Sequence, residues 1–304
     1  MKPTLISLVG PTAVGKTKLA IQLAGHFQTE IISADSRQCY REMNIGTAKP
    51  TFDELNSVKH HFINSHSIHD FFSAGEFGRV ALMKLKSLFN SYNVVIMVGG
   101  SGLYVDAVTK GLAEIPKIKA EIRNALVDRL ETEGLEVLFR YLAQVDEDYA
   151  GMVDKNNTQR IIRALEVYEG TGKIYSYWRK SISSVRPFSV VTIGLEQERE
   201  VLYQNIDHRM DGMIDSGLFT EAKALYQYRL LNPLQTVGYK EIFDYINDSY
   251  DYNECVRLLK RNSRRYAKRQ LTWFKKNDHI KWFSMPYTTN ELLDYIEMRL
   301  SDKV

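Results

Sequence analysis

The chain has 304 residues, of which 44% are hydrophobic and 25% are charged, and its formal net charge is +3. This length allows one large domain or a core with an inserted subdomain, and the composition is that of a globular protein. The small net charge excludes nucleic-acid binding driven by bulk charge, so any such binding depends on local clusters of basic residues.

Cysteine usage and hydropathy indicate the cellular compartment of the protein. Cys39 and Cys255 are far apart and have no C-x-x-C spacing, which indicates a reducing compartment. Residues 1–4 run directly into an apolar segment and leave no room for a signal peptide, and no apolar run approaches the roughly 20 residues that cross a bilayer. We therefore expect a soluble cytoplasmic protein that does not contact a membrane.

The first motif directly follows the first predicted strand, Leu5–Val9. Residues 10–17 match G-x-x-x-x-G-K-[ST], the phosphate-binding loop between a strand and a helix, and a helical pattern follows them. A chance glycine-rich turn is the alternative. We expect the loop amides to face a phosphate group, Lys16 to add a positive charge, and Thr17 to offer its hydroxyl to Mg²⁺. The predicted phosphate-binding residues are Gly10, Pro11, Thr12, Ala13, Val14, Gly15, Lys16 and Thr17.

A second short strand, residues 30–35, ends in Asp35, and residues 36–38 form the turn after it. Ligand groups gather beyond the carboxyl ends of strands in open α/β sheets, so we expect Asp35 to lie near the phosphate-binding loop. This position favours a catalytic role for its carboxylate. The alternative is a structural role as a helix N-cap.

The strand predicted at Val94–Val98 is followed by the glycine-rich residues 99–102. Walker-type ATPases place an aspartate for Mg²⁺ after such a strand, and its absence here weakens an ATPase interpretation. Glycines at this strand end predict a close approach of the backbone to a ligand. Four histidines lie between residues 60 and 69; a zinc site is conceivable, but no further ligands complete it, and loop or capping roles are favoured.

From about residue 115 the pattern changes to three consecutive amphipathic helices without a strand, and strand character returns at Ser189–Leu195. On the third helix Gln159, Arg160 and Arg163 share an outward face, whereas Ile161 points inward. We predict an α/β fold, a P-loop parallel-sheet core with an inserted all-helical subdomain. The predicted divisions are 1–114 for the first part of the core, 115–186 for the helical insertion, and 187–304 for the continuation of the core.

Residues 257–276 contain nine basic residues and no acidic one, interleaved with Tyr266, Trp273 and Phe274. A solvated helix face is the ordinary explanation of a charge run. Nine uncompensated positive charges repel one another unless a polyanion or phosphate lies among them, so this segment predicts a nucleic-acid contact.

Together these motifs resemble the tRNA dimethylallyltransferase family. The departures are small: Arg37 stands where the family commonly has methionine, Ser101 where it commonly has threonine, and residues 153–157 are looser than the family pattern. A C-terminal zinc finger of the eukaryotic type is absent, which fits a bacterial-type enzyme. The matching segments, in family order, are 10–17, 32–38, 46–50, 60–61, 99–104, 159–167, 237–240 and 264–274.

The resemblance implies transfer of a dimethylallyl group from dimethylallyl diphosphate to N6 of the adenosine immediately 3′ of the anticodon, tRNA position 37. In this family's chemistry Asp35 accepts the proton, while the loop, Lys16, Arg209 and a Mg²⁺ ion held by Thr17 stabilise the departing diphosphate. It also implies a monomer whose macromolecular partner is the anticodon stem-loop. The implied tRNA contacts are Asp35, Ser36, Arg37, Gln38, Ser101, Arg123, Gln159, Arg160, Ile161, Ile162, Arg163, Arg264, Arg265, Lys268 and Arg269.

Two other functions remain open at this point. A small-molecule or nucleotide kinase would use the same loop for ATP and Asp35 to deprotonate an acceptor hydroxyl, but it does not account for the basic segment. A nucleotide-regulated RNA-binding module accounts for the basic segment but assigns nothing to Asp35.

Overall fold

The computed structural model describes residues 2–180 and 185–301. Met1, residues 181–184 and residues 302–304, which the predicted divisions include, lie outside the described residues. The strands are β1 Thr4–Val9, β2 Ile31–Ser33, β3 His60–His61, β4 Val94–Val98, β5 Ser189–Glu196 and β6 Lys281–Ser284. They form one sheet in the order β3-β2-β4-β1-β5-β6, and each neighbouring pair is parallel. The predicted parallel α/β core is confirmed.

The helices follow the amphipathic segments of the sequence. The first four are α1 Lys16–His26, α2 Phe52–Ser57, α3 Ala74–Leu88 and α4 Gly102–Thr109. The next five are α5 Ala120–Glu133, α6 Leu135–Val145, α7 Glu147–Ala150, α8 Thr158–Thr171 and α9 Tyr175–Lys180. The last five are α10 Arg199–Asp215, α11 Leu218–Leu225, α12 Lys240–Ile246, α13 Tyr252–Phe274 and α14 Thr289–Ser301. No helix among the described residues is both long enough and apolar enough to cross a membrane.

Strand order places the three chemically informative loops side by side. β1 lies between β4 and β5, and β2 lies on the other side of β4. Since the strands are parallel, residues after β1, β2 and β4 emerge at the same edge of the sheet. All six residues of β1 are buried, as expected for a central strand covered on both faces. The core therefore holds the phosphate-binding loop, Asp35 and residues 99–102 close together.

The chain divides into two compact units, Met1–Thr109 with Arg186–Val304, and Lys110–Val185. The second unit contains α5 to α9 around its own apolar core, which includes Leu126, Leu138, Leu142 and Leu165, all fully buried. Three helices were expected here; α7 and α9 add four and six residues. Helices this short carry too little periodicity to be recognised in a sequence.

Candidate active site

Glycines shape the phosphate-binding loop. Gly10 has φ +143°, and a β-carbon there would lie 2.5 Å from the Leu195 carbonyl oxygen, so only glycine fits. Gly15 has φ +92° and is the N-cap of α1. The amides of the first turn, at Lys16 and Thr17, have no intrahelical acceptor, and the positive end of the helix dipole lies at the same place. The loop therefore has the geometry of an anion-binding site.

Two cationic side chains converge on this loop. Lys16 Nζ donates a hydrogen bond to the Pro11 carbonyl at 2.6 Å, and the Arg209 guanidinium, from α10, donates one to the Thr12 hydroxyl. Burial and the neighbouring Arg209 lower the pKa of Lys16 to about 7, although Asp35 opposes this shift. Surrounding protein atoms also desolvate the Arg209 guanidinium and lower its pKa, again against the effect of Asp35, although part of the side chain is open to solvent. A bound anion would relieve the repulsion between the two cations.

Asp35 caps a turn and also faces the cavity, so the structure shows a structural role and leaves its catalytic role a prediction. Its Oδ1 accepts the N–H groups of Arg37 at 2.8 Å and Gln38 at 3.2 Å, so the carboxylate caps the turn that follows β2. The same side chain lines the cavity in front of the phosphate-binding loop. One carboxylate oxygen thus fixes the turn, and these backbone contacts leave the other available for chemistry.

Most of the predicted catalytic and phosphate-binding residues line a single cavity of about 420 Å³. Gly10, Pro11 and Val14 are buried and do not line it. Ser101 also lies outside the lining; its Oγ accepts the Ser36 N–H at 3.0 Å and donates to the Ser36 hydroxyl at 3.1 Å. The predicted residues that line the cavity are Thr12, Ala13, Gly15, Lys16, Thr17, Asp35, Arg37, Gln38 and Arg209.

The glycines after β4 make room mainly for protein atoms. A β-carbon at Gly99 would lie 2.2 Å from the Ala34 carbonyl oxygen, and one at Gly102 would lie 2.2 Å from Trp273 Cδ1. Contacts within the protein therefore account for the absence of a side chain at these two positions. Gly99 and Gly100 also line the cavity, and the close approach of the backbone to a ligand stays a prediction.

The sequence analysis assigned no role to Glu221, which fixes the backbone of residues 44–46 beside the cavity. This residue of α11 accepts the N–H groups of Asn44, Ile45 and Gly46 at 2.9, 2.9 and 3.0 Å. It also accepts the hydroxyl of the fully buried Tyr239 at 2.6 Å. The segments 46–50 and 237–240, noticed only as motifs, therefore meet at one carboxylate. Nothing in either segment alone indicates this partner.

The histidines between residues 60 and 69 do not form a metal site. His60 and His61 form β3, His61 Nε2 hydrogen-bonds with Glu30 Oε2 at 2.5 Å, and the His66 ring stacks on Phe72. Among the described residues no group of three or more His, Cys, Asp or Glu side chains is placed to hold a metal ion.

The basic segment forms most of α13, and carboxylates elsewhere pair with part of it. Arg264 Nη1 contacts both carboxylate oxygens of Asp207 at 2.6 Å, and Lys260 pairs with Asp211 at 2.6 Å; both aspartates belong to α10. Two further pairs are Arg257 with Glu254 and Lys275 with Glu196. The prediction that all nine charges are uncompensated is therefore wrong.

The remaining charge on α13 is concentrated on its exposed face. Arg265, Lys268 and Arg269 are exposed, and no ion pair joins any of them to a carboxylate within residues 2–180 and 185–301. We call these three residues the α13 basic face. Arg261, which is half-buried, and the exposed Lys276 also have no carboxylate partner among the described residues, but only the α13 basic face places three exposed charges side by side.

In the helical unit the predicted contacts separate into surface and core. Glu166, whose side chain is 9% exposed, accepts hydrogen bonds from Arg123 and Arg163 at 3.0 Å each, and Arg123 also donates to Gln159. Arg160 is exposed. The prediction of direct tRNA contact for the side chains of Ile161 and Ile162 is wrong, because they are 0% and 3% exposed within the core of the unit.

Comparison with known proteins decides the family. The family model described as IPP transferase matches residues 38–277, more than half of the chain. The chain belongs to the IPP transferase family. A tRNA dimethylallyltransferase from Christiangramia forsetii is 47% identical over 301 residues, which are 99% of this chain and 100% of that protein.

Solved structures of IPP transferases have the same fold. The tRNA isopentenylpyrophosphate transferase of Bacillus halodurans superposes with a TM-score of 0.72 at 38% identity, covering 99% of this chain and 97% of that one. A eukaryotic dimethylallyltransferase acting on tRNA superposes with a TM-score of 0.78 at 25% identity, covering 99% and 80%. The family model begins after the phosphate-binding loop, so its match does not depend on that loop.

Proposed function

We propose that this chain is a tRNA dimethylallyltransferase that transfers the dimethylallyl group of dimethylallyl diphosphate to N6 of the adenosine at tRNA position 37. The products are N6-dimethylallyladenosine and diphosphate. One observation carries the proposal: a single cavity holds an anion-binding loop, two cations and a carboxylate. The names of the relatives favour prenyl transfer to tRNA and do not support the kinase alternative.

The loop and its cations act on the leaving group. The bond that breaks joins the allylic carbon to a diphosphate oxygen, and the allylic cation is delocalised. Negative charge therefore develops on diphosphate, where the loop amides, Lys16 and Arg209 can receive it. Preorganised donors of this kind contribute about 3 kcal/mol each to stabilisation of a transition state.

Asp35 acts on the nucleophile. The exocyclic N6 of adenine must lose a proton as the new carbon–nitrogen bond forms. In this proposal the Asp35 oxygen that the Arg37 and Gln38 amides leave available accepts that proton. General-base catalysis of this type accelerates reactions by about 10²–10⁴-fold.

The donor set fits a Mg²⁺ ion that is held mainly by substrate. Thr17 provides a hydroxyl oxygen beside the loop, and the described residues contain no cluster that would hold a metal ion alone. Mg²⁺ prefers such sites, where diphosphate oxygens and water complete the coordination. Thr17 would hold the ion, whose charge would help neutralise the departing diphosphate.

Recognition of tRNA would use three surfaces. The target adenosine lies in a single-stranded loop and must be turned outward to enter the cavity, which Arg37 and Gln38 line. Arg123, Gln159, Arg160 and Arg163 would contact the anticodon stem-loop from the helical unit. The α13 basic face would contact backbone phosphates. In this proposal the protein acts as a monomer in the cytoplasm.

One assay tests the proposal against both alternatives. The protein is incubated with undermodified tRNA and dimethylallyl diphosphate, and in parallel with ATP and candidate acceptors. We expect prenylated adenosine, detected by mass spectrometry of the digested tRNA. ATP turnover without prenylation would favour a kinase, and tRNA binding without either reaction would favour an RNA-binding module.

Titration of Lys16 predicts a pH dependence of diphosphate binding. Because the pKa of Lys16 is about 7, its ammonium group is charged below that pH and loses its proton above it. The affinity for inorganic diphosphate, measured by calorimetry, should therefore decline as the pH rises from about 6 to about 8. Lys16→Arg is the matched control because guanidinium stays charged, and its profile should retain only the protonation of diphosphate itself. Coincident profiles would mean that Lys16 does not titrate in this range.

A further inference from the structure

Gln270, on α13, uses both ends of its side-chain amide within the protein. Its Oε1 accepts a hydrogen bond from the Thr12 N–H at 2.8 Å, and its Nε2 donates one to the Gly100 carbonyl at 2.9 Å. A backbone N–H only donates and a carbonyl only accepts, so these partners fix the orientation of the amide. Gln270 is 6% exposed, and loss of either bond would leave a shielded polar group without a partner.

Gly100 accommodates this side chain. A β-carbon at position 100 would lie 2.2 Å from Gln270 Nε2 and would displace the amide. The absence of a side chain after β4 therefore allows α13 to reach the phosphate-binding loop across the strand end. Gln270 in turn lines the cavity beside Thr12 and Gly100.

The peptide between Pro11 and Thr12 links Gln270 to both cations. This peptide is trans, so its N–H and carbonyl point in opposite directions. When Gln270 holds the N–H, the Pro11 carbonyl faces Lys16, whose Nζ donates to it at 2.6 Å. The hydroxyl of Thr12 accepts the Arg209 guanidinium. Both cations that face the anion site therefore contact one short segment, and Gln270 holds that segment.

We propose that Gln270 is a positioning residue for the diphosphate group: by fixing the Pro11–Thr12 peptide, it holds Lys16 and Arg209 where both face the same anion. It acts through these two residues and touches no reacting atom. The inference rests on the proposed function only for the identity of the anion. Through Gln270 the inner face of α13 would serve diphosphate binding, whereas the α13 basic face would serve tRNA binding.

Gln270→Met tests this role because methionine has a similar length, removes both hydrogen bonds and adds no charge. We expect the Kd of inorganic diphosphate, measured by calorimetry without tRNA, to rise at least tenfold. The kcat for prenyl transfer should also fall, since the same cations stabilise the leaving group. The affinity for tRNA should stay within about twofold of the parent protein, because the α13 basic face is intact.

Gln270→Glu adds a signature that packing alone would not produce. A neutral carboxylic acid can accept from Thr12 N–H and donate to the Gly100 carbonyl, whereas a carboxylate can only accept. The loss of diphosphate affinity relative to the parent protein at the same pH should therefore be large near about pH 8 and smaller near about pH 5.5. If Gln270→Met does not fold, the pH profile of Gln270→Glu still tests whether Gln270 is a positioning residue.

Leu259→Val is the packing control, since Leu259 is fully buried on α13 about three turns before Gln270. It should lower the melting temperature and leave diphosphate affinity unchanged. A Kd for Gln270→Met within about threefold of the parent would overturn the proposal, as would an equal loss in Leu259→Val or a pH-independent loss in Gln270→Glu. The readout is binding of inorganic diphosphate, so it gives an answer even if the protein fails to prenylate tRNA.

Discussion

Asp35→Asn should lower the single-turnover rate of prenyl transfer by two or more orders of magnitude and leave tRNA affinity nearly unchanged. An asparagine Oδ1 can still accept the N–H groups of Arg37 and Gln38, so the turn after β2 keeps its cap. Its amide nitrogen cannot accept a proton from adenine N6, and the general-base contribution is lost. The measurement pairs quenched-flow kinetics at saturating substrates with equilibrium binding of tRNA.

Asp35→Ala is the informative companion, because it removes the cap as well as the base. We expect this variant to lose as much rate and, in addition, to melt at a lower temperature, since two backbone N–H groups lose their acceptor. If Asp35→Asn lost tRNA affinity in proportion to its rate, Asp35 would belong to the binding surface and another group would be the proton acceptor.

The second large effect concerns the α13 basic face. Replacement of Arg265, Lys268 and Arg269 by glutamine should reduce tRNA affinity by two or more orders of magnitude at about 0.1 M salt. The slope of log K against log salt concentration should fall by about three, one for each lost phosphate contact. The measurement is equilibrium binding of tRNA at several salt concentrations.

A matched triple variant separates a local contact from net charge. Lys2, just before β1, and Lys84 and Lys86, on α3, lie outside the proposed tRNA surface, and their replacement by glutamine removes the same total charge. We expect this control to retain most of the affinity and most of the salt slope. An unchanged slope in the α13 variant would show that the basic face is an ordinary solvated surface. Arg264 is a poorer probe, because its removal also exposes the charge of Asp207.

Several features followed from local sequence. The spacing of Gly10, Gly15 and Lys16 encodes a backbone path and a charge within eight residues, so the loop was recognisable without tertiary information. The position of Asp35 followed from one general rule, that ligands gather beyond the carboxyl ends of parallel strands. The inward orientation of Ile161 followed from helical periodicity, and the error for Ile161 and Ile162 arose where a family segment was carried over without that periodicity.

The errors about charge have a different cause. Residues 257–276 contain no carboxylate, and within that window the charge is uncompensated. Asp207 and Asp211, on α10, compensate Arg264 and Lys260 across the helix packing. A composition count cannot register partners that folding brings from another helix, so the count overstated the surface available to a polyanion.

The sequence by itself determined the phosphate-binding loop, the parallel α/β core, the helical insertion and Asp35 as the candidate base. Each of these depends on short-range spacing, strand order or a repeated period. Only the tertiary structure shows the long-range hydrogen bonds that fix the segments around the cavity. Glu221 joins residues 44–46 to Tyr239, and Gln270 reaches Thr12 from 258 positions away. Such contacts depend on which faces of distant helices meet the sheet edge, and no local pattern encodes that choice.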